Sequence, residues 1–422
     1  MKIKNLLNPQ RIIYFRMMVL VVIPVFFLAL IRVWPEPEPQ FEKENIAPNN
    51  DIWVTAYLAT WQHNAGTKYS NWGAMKTDDI DWDAFTHLIY FALNIDTNGR
   101  PSQSFDPKNR GNFNSDRLNV IVPAAHRNNT KILFSVGGSG NYSGFSSSIT
   151  PKNRAQFIDT IAEIITKYGF DGVDLDMEPI KKKDYANYYQ FVLKLDEAFN
   201  NLQTRNGERP LITIAALKGK DVSELYASIQ QQVDQINIMT YDMAQAWSGW
   251  QAWHNSALYS DGIKFDRTGG EMSSVEQKVK AALAAGIDRK KLGIGIDFYG
   301  YIWHSVHRLG KWETWPDEDM SIMERSGGVP YSELYERYNL NNASWDEQAQ
   351  TSYLNIDNPR TFISFDNERS VQEKVQYAID QGLGGVILWE LGGGFLENHS
   401  SGQKDPLLQS VKSKLQQKTM QP

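Results

Sequence analysis

With 422 residues, 41% hydrophobic and 12% aromatic, the chain is long enough for one large domain or two ordinary ones around a sizeable core. It contains no cysteine, which excludes disulfides, thiolate metal sites and cysteine nucleophiles. Its formal charge of −6 divides into +5 over the first 34 residues and −11 over the rest. A body that acidic lacks the footprint of a nucleic-acid binder and suits a neutral polymer or small molecule.

The first element in chain order is "RMMVLVVIPVFFLALIRVW", whose apolar run Met17–Ile31 lies behind a basic segment. The run is long for a signal-peptide core and short for a full membrane span. Leu30, Ile31 and Arg32 leave no small-x-small cleavage site. Residues 1–34 therefore read as an export signal, either cleaved or kept as a membrane anchor. The basic residues ahead of the run keep the N-terminus in the cytoplasm and put the body outside, extracellular or periplasmic. Residues 35–50, rich in Pro and Glu, read as a stiff polar linker. The folded body is expected over 51–418, as a monomer.

Eight β-rich apolar runs follow: Trp53–Ala59, Phe85–Leu93, Lys131–Val136, Gly172–Glu178, Leu211–Leu217, Gln235–Tyr241, Leu292–Tyr299 and Gly385–Glu390. The segments between several of them have helical periodicity. Leu118, Ile121, Val122 and Ala125 make one stripe, and Phe157, Ile158, Ile161, Ile164, Ile165 and Tyr168 another. For the second of these, Thr150 reads as the N-cap and Pro151 as the first helical position. Val371–Ile379 carries a further helical signal. Eight strands alternating with helices predict an α/β fold, a parallel (β/α)8 barrel rather than an open sheet. Residues 301–360 exceed an ordinary connection and read as a small α+β insertion between the seventh and eighth strands.

The fourth run, "FDGVDLDMEP", alternates Val173, Leu175 and Met177 with Asp174, Asp176 and Glu178. On a barrel strand the apolar set faces the helices. The acids form a column rising to the C-terminal mouth, where barrel enzymes place their chemistry. Crowded carboxylates share protons, which suits general acid catalysis. The same residues also read as oxygen ligands for Mg²⁺ or Ca²⁺, or as a solvated edge.

This stretch resembles the D-x-x-D-x-D-x-E signature of glycoside hydrolase family 18, the chitinases and their relatives, with Asp171, Asp174, Asp176 and Glu178 in register. Other motifs follow in order: "SVGG" at Ser135–Gly138, "MTYD" at Met239–Asp242, "HNSALY", "KLGIGIDFYG" and "GGVILWEL" with Trp389. The resemblance covers roughly residues 52–415, and with it the metal reading recedes. No metal and no cofactor is expected.

The resemblance implies retaining cleavage of β-1,4 bonds beside N-acetylglucosamine, with the substrate's acetamido carbonyl as nucleophile. By motif position Glu178 is the general acid and base. Asp176 orients the acetamido group, Asp174 shares a proton with Asp176, Tyr241 donates to the acetamido oxygen, and Asp242 contacts the sugar or Glu178. Trp389 floors the subsite, Met239 and Phe91 line the pocket, and Tyr57 and Ser135 are candidate donors to Asp174. Trp247, Trp250, Trp253, Trp303, Trp312 and Trp315 are candidate stacking platforms at the rim, with local packing the other reading. His304 and His307 lack a third ligand and read as surface or packing residues. Two departures from the family pattern are Tyr301 in place of an arginine after "FYG" and the absence of an aspartate in "ELGGGF".

The expected function is that of an exported chitinase acting on chitin or N-acetylglucosamine-containing oligosaccharides. An endo-β-N-acetylglucosaminidase or a peptidoglycan-directed relative keeps the chemistry and changes the substrate. A chitinase-like lectin is a third reading, which the intact Glu178 opposes.

Overall fold

Nearly continuous burial along each strand, on both faces, marks a sheet covered by helices outside and packed side chains inside. β1 (Trp53–Ala59), β2 (His87–Leu93), β3 (Lys131–Gly137), β4 (Gly172–Asp176), β5 (Leu211–Ala216), β6 (Gln235–Ile238) and β7 (Leu292–Asp297) pair in parallel, each with the next. The last barrel strand, Gly385–Trp389, closes the ring against β1 and β7. This computed structural model describes residues 52–63, 75–102, 113, 115–245, 252–265, 268–304, 323–325, 327–399 and 404–419. The apolar N-terminal run and the Pro/Glu-rich linker lie outside the described residues, as do Trp247, Trp250, Trp312, Trp315 and His307.

The eight-stranded (β/α)8 barrel expected from the strand count is present, with the α+β insertion before its last strand. The insertion is a five-stranded antiparallel sheet of β8 (Tyr299–His304), β9 (Val329–Pro330), β10 (Ser344–Asp346), β11 (Thr351–Asp357) and β12 (Arg360–Phe365). The final barrel strand is therefore β13. Helix Tyr331–Arg337 packs within the insertion.

Three local expectations need correction. The seventh apolar run is two strands, because the β7–β13 ladder ends at Asp297 and the chain re-pairs in the insertion, with β9 from Tyr299 and with β12 from Gly300. The fourth and sixth strands end at Asp176 and Ile238, so Glu178 and Tyr241 stand on the connections just past them. The helix expected to start at Pro151 starts at Arg154 with Asn153 as its N-terminal boundary residue, and a shorter helix, Tyr142–Ser148, lies between it and β3. There Thr150 closes a turn instead, its carbonyl accepting from the N–H groups of Asn153 and Arg154.

Two cores hold the barrel. Val173, Leu175 and Met177 are buried between sheet and helices, together with Phe157, Ile161 and Ile165 of the helix Arg154–Tyr168. Inside the lumen, Tyr57, Ile89, Phe91, Leu133 and Ile387 form a second cluster. Moving Asp174 and Asp176 to the outer face would bury two carboxylates in apolar packing, so the alternation fixes the strand's register.

Candidate active site

Ser135, Asp174 and Thr213 lie side by side on β3, β4 and β5. All three are buried. The Asp174 carboxylate accepts from Thr213 Oγ1 at 2.7 Å and from the Tyr57 hydroxyl at 3.1 Å. Burial pushes its pKa up to about 6, and those hydrogen bonds hold it from going higher. Asp176 above it is buried, and its pKa is raised well above the ordinary range by burial and then by Glu178 and Asp174. Glu178 is half-buried and also raised, by burial first and then by the charge of Asp242. Asp176 and Glu178 are hydrogen-bonded to one another, so the pair retains a proton between its members.

The end of β3 closes against this pair. Gly137 has φ +107°, and a Cβ there would come within 2.1 Å of the Asp176 carbonyl oxygen. That carbonyl accepts the N–H of Gly138 at 2.7 Å. The close approach brings the backbone N–H of Ser139 to Glu178. This is the physical reason for two glycines in "SVGG".

Across the mouth, Tyr241 and Asp242 follow β6. The Tyr241 ring lies over Gly295 of β7, where a Cβ would come within 2.6 Å of its Cε1. Burial, followed by the neighbouring carboxylates, raises its phenol, which therefore stays a proton donor. Asp242 has φ +53° and is gripped from several directions. Its Oδ1 accepts from the hydroxyls of Tyr299 (2.5 Å) and Tyr301 (2.6 Å). Its N–H donates to Asn255 Oδ1 at 2.9 Å. Lys218 Nζ donates to the carbonyls of both Tyr241 and Asp242. Burial lowers Lys218 to about 8.

An aromatic wall completes the mouth. Trp389 meets Phe91 edge-on at 4.7 Å and Tyr57 at 5.4 Å, and Trp61 meets Phe91 at 5.8 Å. Met239 packs on the same lumen cluster. Asp174, Asp176, Glu178, Ser135 and Tyr57 thus gather around β4, with Tyr241 and Asp242 past β6 and with Trp389, Phe91 and Met239 on the lumen cluster. A half-buried acid beside a buried, hydrogen-bonded carboxyl can give and take back a proton. A phenol donor and an aromatic wall nearby can seat a sugar ring.

The family model described as Glycosyl hydrolases family 18 matches residues 54–394. The chain belongs to that family. Chitinase A1 of Niallia circulans is 31% identical over 325 residues, with 69% of this chain and 44% of that protein's length covered. A chitinase-like mite allergen of Dermatophagoides farinae is 23% identical, covering 87% of this chain and 77% of its own. Among solved structures, Ostrinia furnacalis Group IV chitinase in complex with allosamidin aligns with TM-score 0.72 at 26% identity, covering 87% of this chain and 99% of that one.

For this family 18 glycoside hydrolase, some expectations change. Trp253 and Trp303 are 1% and 0% exposed, so they are packing residues and not rim platforms. His304 is half-exposed and faces Glu324 at 3.7 Å. Tyr301 is buried, so it acts on the site through Asp242 and not by lining a groove. Sequence reading missed Trp61, Lys218, Tyr299 and Asn255. Trp61 and Lys218 each stand within two residues of a barrel strand's C-terminal end, a usable signal. Asn255 lies in "HNSALY", and only its distant partners reveal its role.

Proposed function

We propose that this glycoside hydrolase is an exported chitinase that cleaves β-1,4 bonds in N-acetylglucosamine polymers or oligomers by substrate-assisted, retaining chemistry. The observation that carries the reading is the hydrogen-bonded Asp176–Glu178 pair at the barrel mouth, both members raised by burial. Membership of family 18 supports it, as do relatives named chitinases and the allosamidin complex of the Ostrinia furnacalis enzyme.

In the proposed reaction Glu178 gives its proton to the glycosidic oxygen as the C1–O bond breaks. The acetamido carbonyl oxygen attacks C1, and Tyr241 donates a hydrogen bond to that oxygen. Asp176, its own proton passed to Asp174, accepts the acetamido N–H and offsets the positive charge of the cyclic oxazolinium. Glu178, now a carboxylate, removes a proton from the water that reopens the ring, and configuration is retained. Trp389, Phe91 and Met239 would border the ring that distorts. Export, with or without a tether in the membrane, rests on the basic segment and apolar run at residues 1–34.

The test is hydrolysis of tri-N-acetylchitotriose by the purified protein beside Glu178→Gln. Removing a general acid costs about 10²–10⁴ in rate, so the variant should bind the oligosaccharide and barely cut it. A variant as active as the wild type would remove Glu178 from the acid role. A wild type that binds and does not cut would remove the enzymatic reading.

A further inference from the structure

Beneath Asp242 runs a chain of buried polar groups that the proposed reaction does not use. Asn255, whose Oδ1 takes the Asp242 N–H, sends its Nδ2 to Asp297 Oδ2 at 2.6 Å. Asp297 ends β7 and lies 3.5 Å from the Nζ of Lys374, which is paired tightly with Asp366. Lys374 also donates to Ser256 Oγ at 2.6 Å, and that hydroxyl donates to the Thr240 carbonyl at 2.6 Å. Asn255 is itself fixed from the insertion, because its N–H donates to Ser364 Oγ of β12 at 2.9 Å. Asn255, Asp297, Lys374 and Asp366 are all buried.

A fully buried ion cluster is weak evidence of stabilisation, since apolar residues of equal volume often do as well or better. What this one achieves is geometric. It links β7, the insertion and the helix Glu368–Asp380 to the segment after β6, where Asp242 holds a left-handed backbone conformation. A non-glycine residue at φ +53° persists only where its surroundings over-determine it.

We infer that Asn255, anchored through Asp297 to Lys374 and Asp366, is a positioning residue that holds Asp242 at its set distance from Glu178. This rests on the proposed glycosidase reading of the site. Asp242 is the carboxylate whose charge raises Glu178, so its placement sets how far into alkaline pH Glu178 keeps its proton. The pair is faced from several elements, and the Tyr241 phenol past β6 feels the charge of both members. Asp176 meets Glu178 from β4, and Lys218 past β5 lowers Glu178 against the effect of Asp242. Tyr299 and Tyr301 hold Asp242 from β8. Asp366 and Lys374 face Asp297.

The test compares Asn255→Ala with Asp297→Asn, which keeps an acceptor for the Asn255 amide. Melting curves, kcat, KM and the pH profile of kcat/KM on tri-N-acetylchitotriose are measured for both. Asn255→Ala should lose about tenfold in kcat/KM, the worth of one such hydrogen bond, and its alkaline limb should move to lower pH. Asp297→Asn should keep the wild-type alkaline limb. If Asn255→Ala fails to fold, Asn255→Ser, too short to span Asp242 and Asp297, decides in the same way. A folded Asn255 variant with the wild-type alkaline limb overturns the inference while leaving the proposed function intact. Should the wild type bind the trisaccharide and not cut it, the function falls. Affinity from tryptophan fluorescence then decides the inference, about tenfold weaker in Asn255→Ala upholding it and unchanged overturning it. A wild type that neither cuts nor binds overturns both.

Discussion

Replacing Glu390 with glutamine would show whether a carboxylic acid is kept neutral beside Trp389. Glu390 is buried at the end of β13, its Oε1 accepting from Gln62 Nε2 at 2.6 Å and its Oε2 from the Gly392 N–H at 3.0 Å. Burial pushes its pKa up to about 8 from an ordinary 4.5, and those hydrogen bonds recover only part of the rise. Between these two values the folded chain holds a proton that the unfolded chain has released. The stabilising contribution of the neutral acid is therefore complete below about pH 4.5 and is lost as pH rises to about 8. At about 1.4 kcal/mol per pH unit, the loss is about 3 kcal/mol by pH 7 and approaches ~5 kcal/mol by pH 8. Glutamine keeps the size and an acceptor and has no proton to lose, and the Gln62 amide can turn to match it. Urea unfolding of both proteins should give stabilities within about 1 kcal/mol at pH 5. The variant should then gain steadily, by about 3 kcal/mol at pH 7. Other titrating groups cancel in the comparison. A difference that stays flat from pH 5 to 8.5 would refute the reasoning, because Glu390 would then ionise alike in the folded and unfolded chain.

Two further substitutions probe the mouth. Lys218→Met removes the cation that lowers Glu178 and the donor that clamps the Tyr241 and Asp242 carbonyls. It should cost about tenfold in kcat/KM and move the alkaline limb to higher pH, read from initial rates across pH 5–9. Gly295→Ala puts a methyl where the Tyr241 ring lies, 2.6 Å from Cε1. Displacing that phenol by about 1 Å should lower kcat about 100-fold with KM little changed, and wild-type steady-state kinetics would mean that the ring gives way freely.

The acidic strand was legible because strand geometry alternates strictly. Once Val173, Leu175 and Met177 are assigned to the helices, Asp174 and Asp176 have only the lumen to face. Strand ends were less legible, because apolar character runs on past the last ladder bond. Phe298 continues the run of β7, its N–H still on the Trp389 carbonyl, although the chain turns into the insertion sheet at the next residue. Tryptophans were ambiguous for a different reason. Residue type does not separate a stacking surface from a packing residue, and Trp253 and Trp303 are buried by contacts that local sequence does not report. The Asn255 chain was invisible for the same reason. Lys374 meets Ser256 across 118 positions and Asn255 meets Asp297 across 42.

The signs of the two pH effects carry the argument beyond stability. Lys218 and Asp242 act on Glu178 in opposite directions, the cation lowering it and the carboxylate raising it. Loosening Asp242 through Asn255 should therefore draw the alkaline limb down, whereas removing Lys218 should push it up. Both changes disturb the same turn after β6, so a general loss of order would move the two limbs the same way or leave them in place. Opposite shifts require that both groups be felt at Glu178 as charges at set distances. A mouth built on buried carboxylates depends on such placement, because at low dielectric a small change in distance has a large effect on which acid holds the proton.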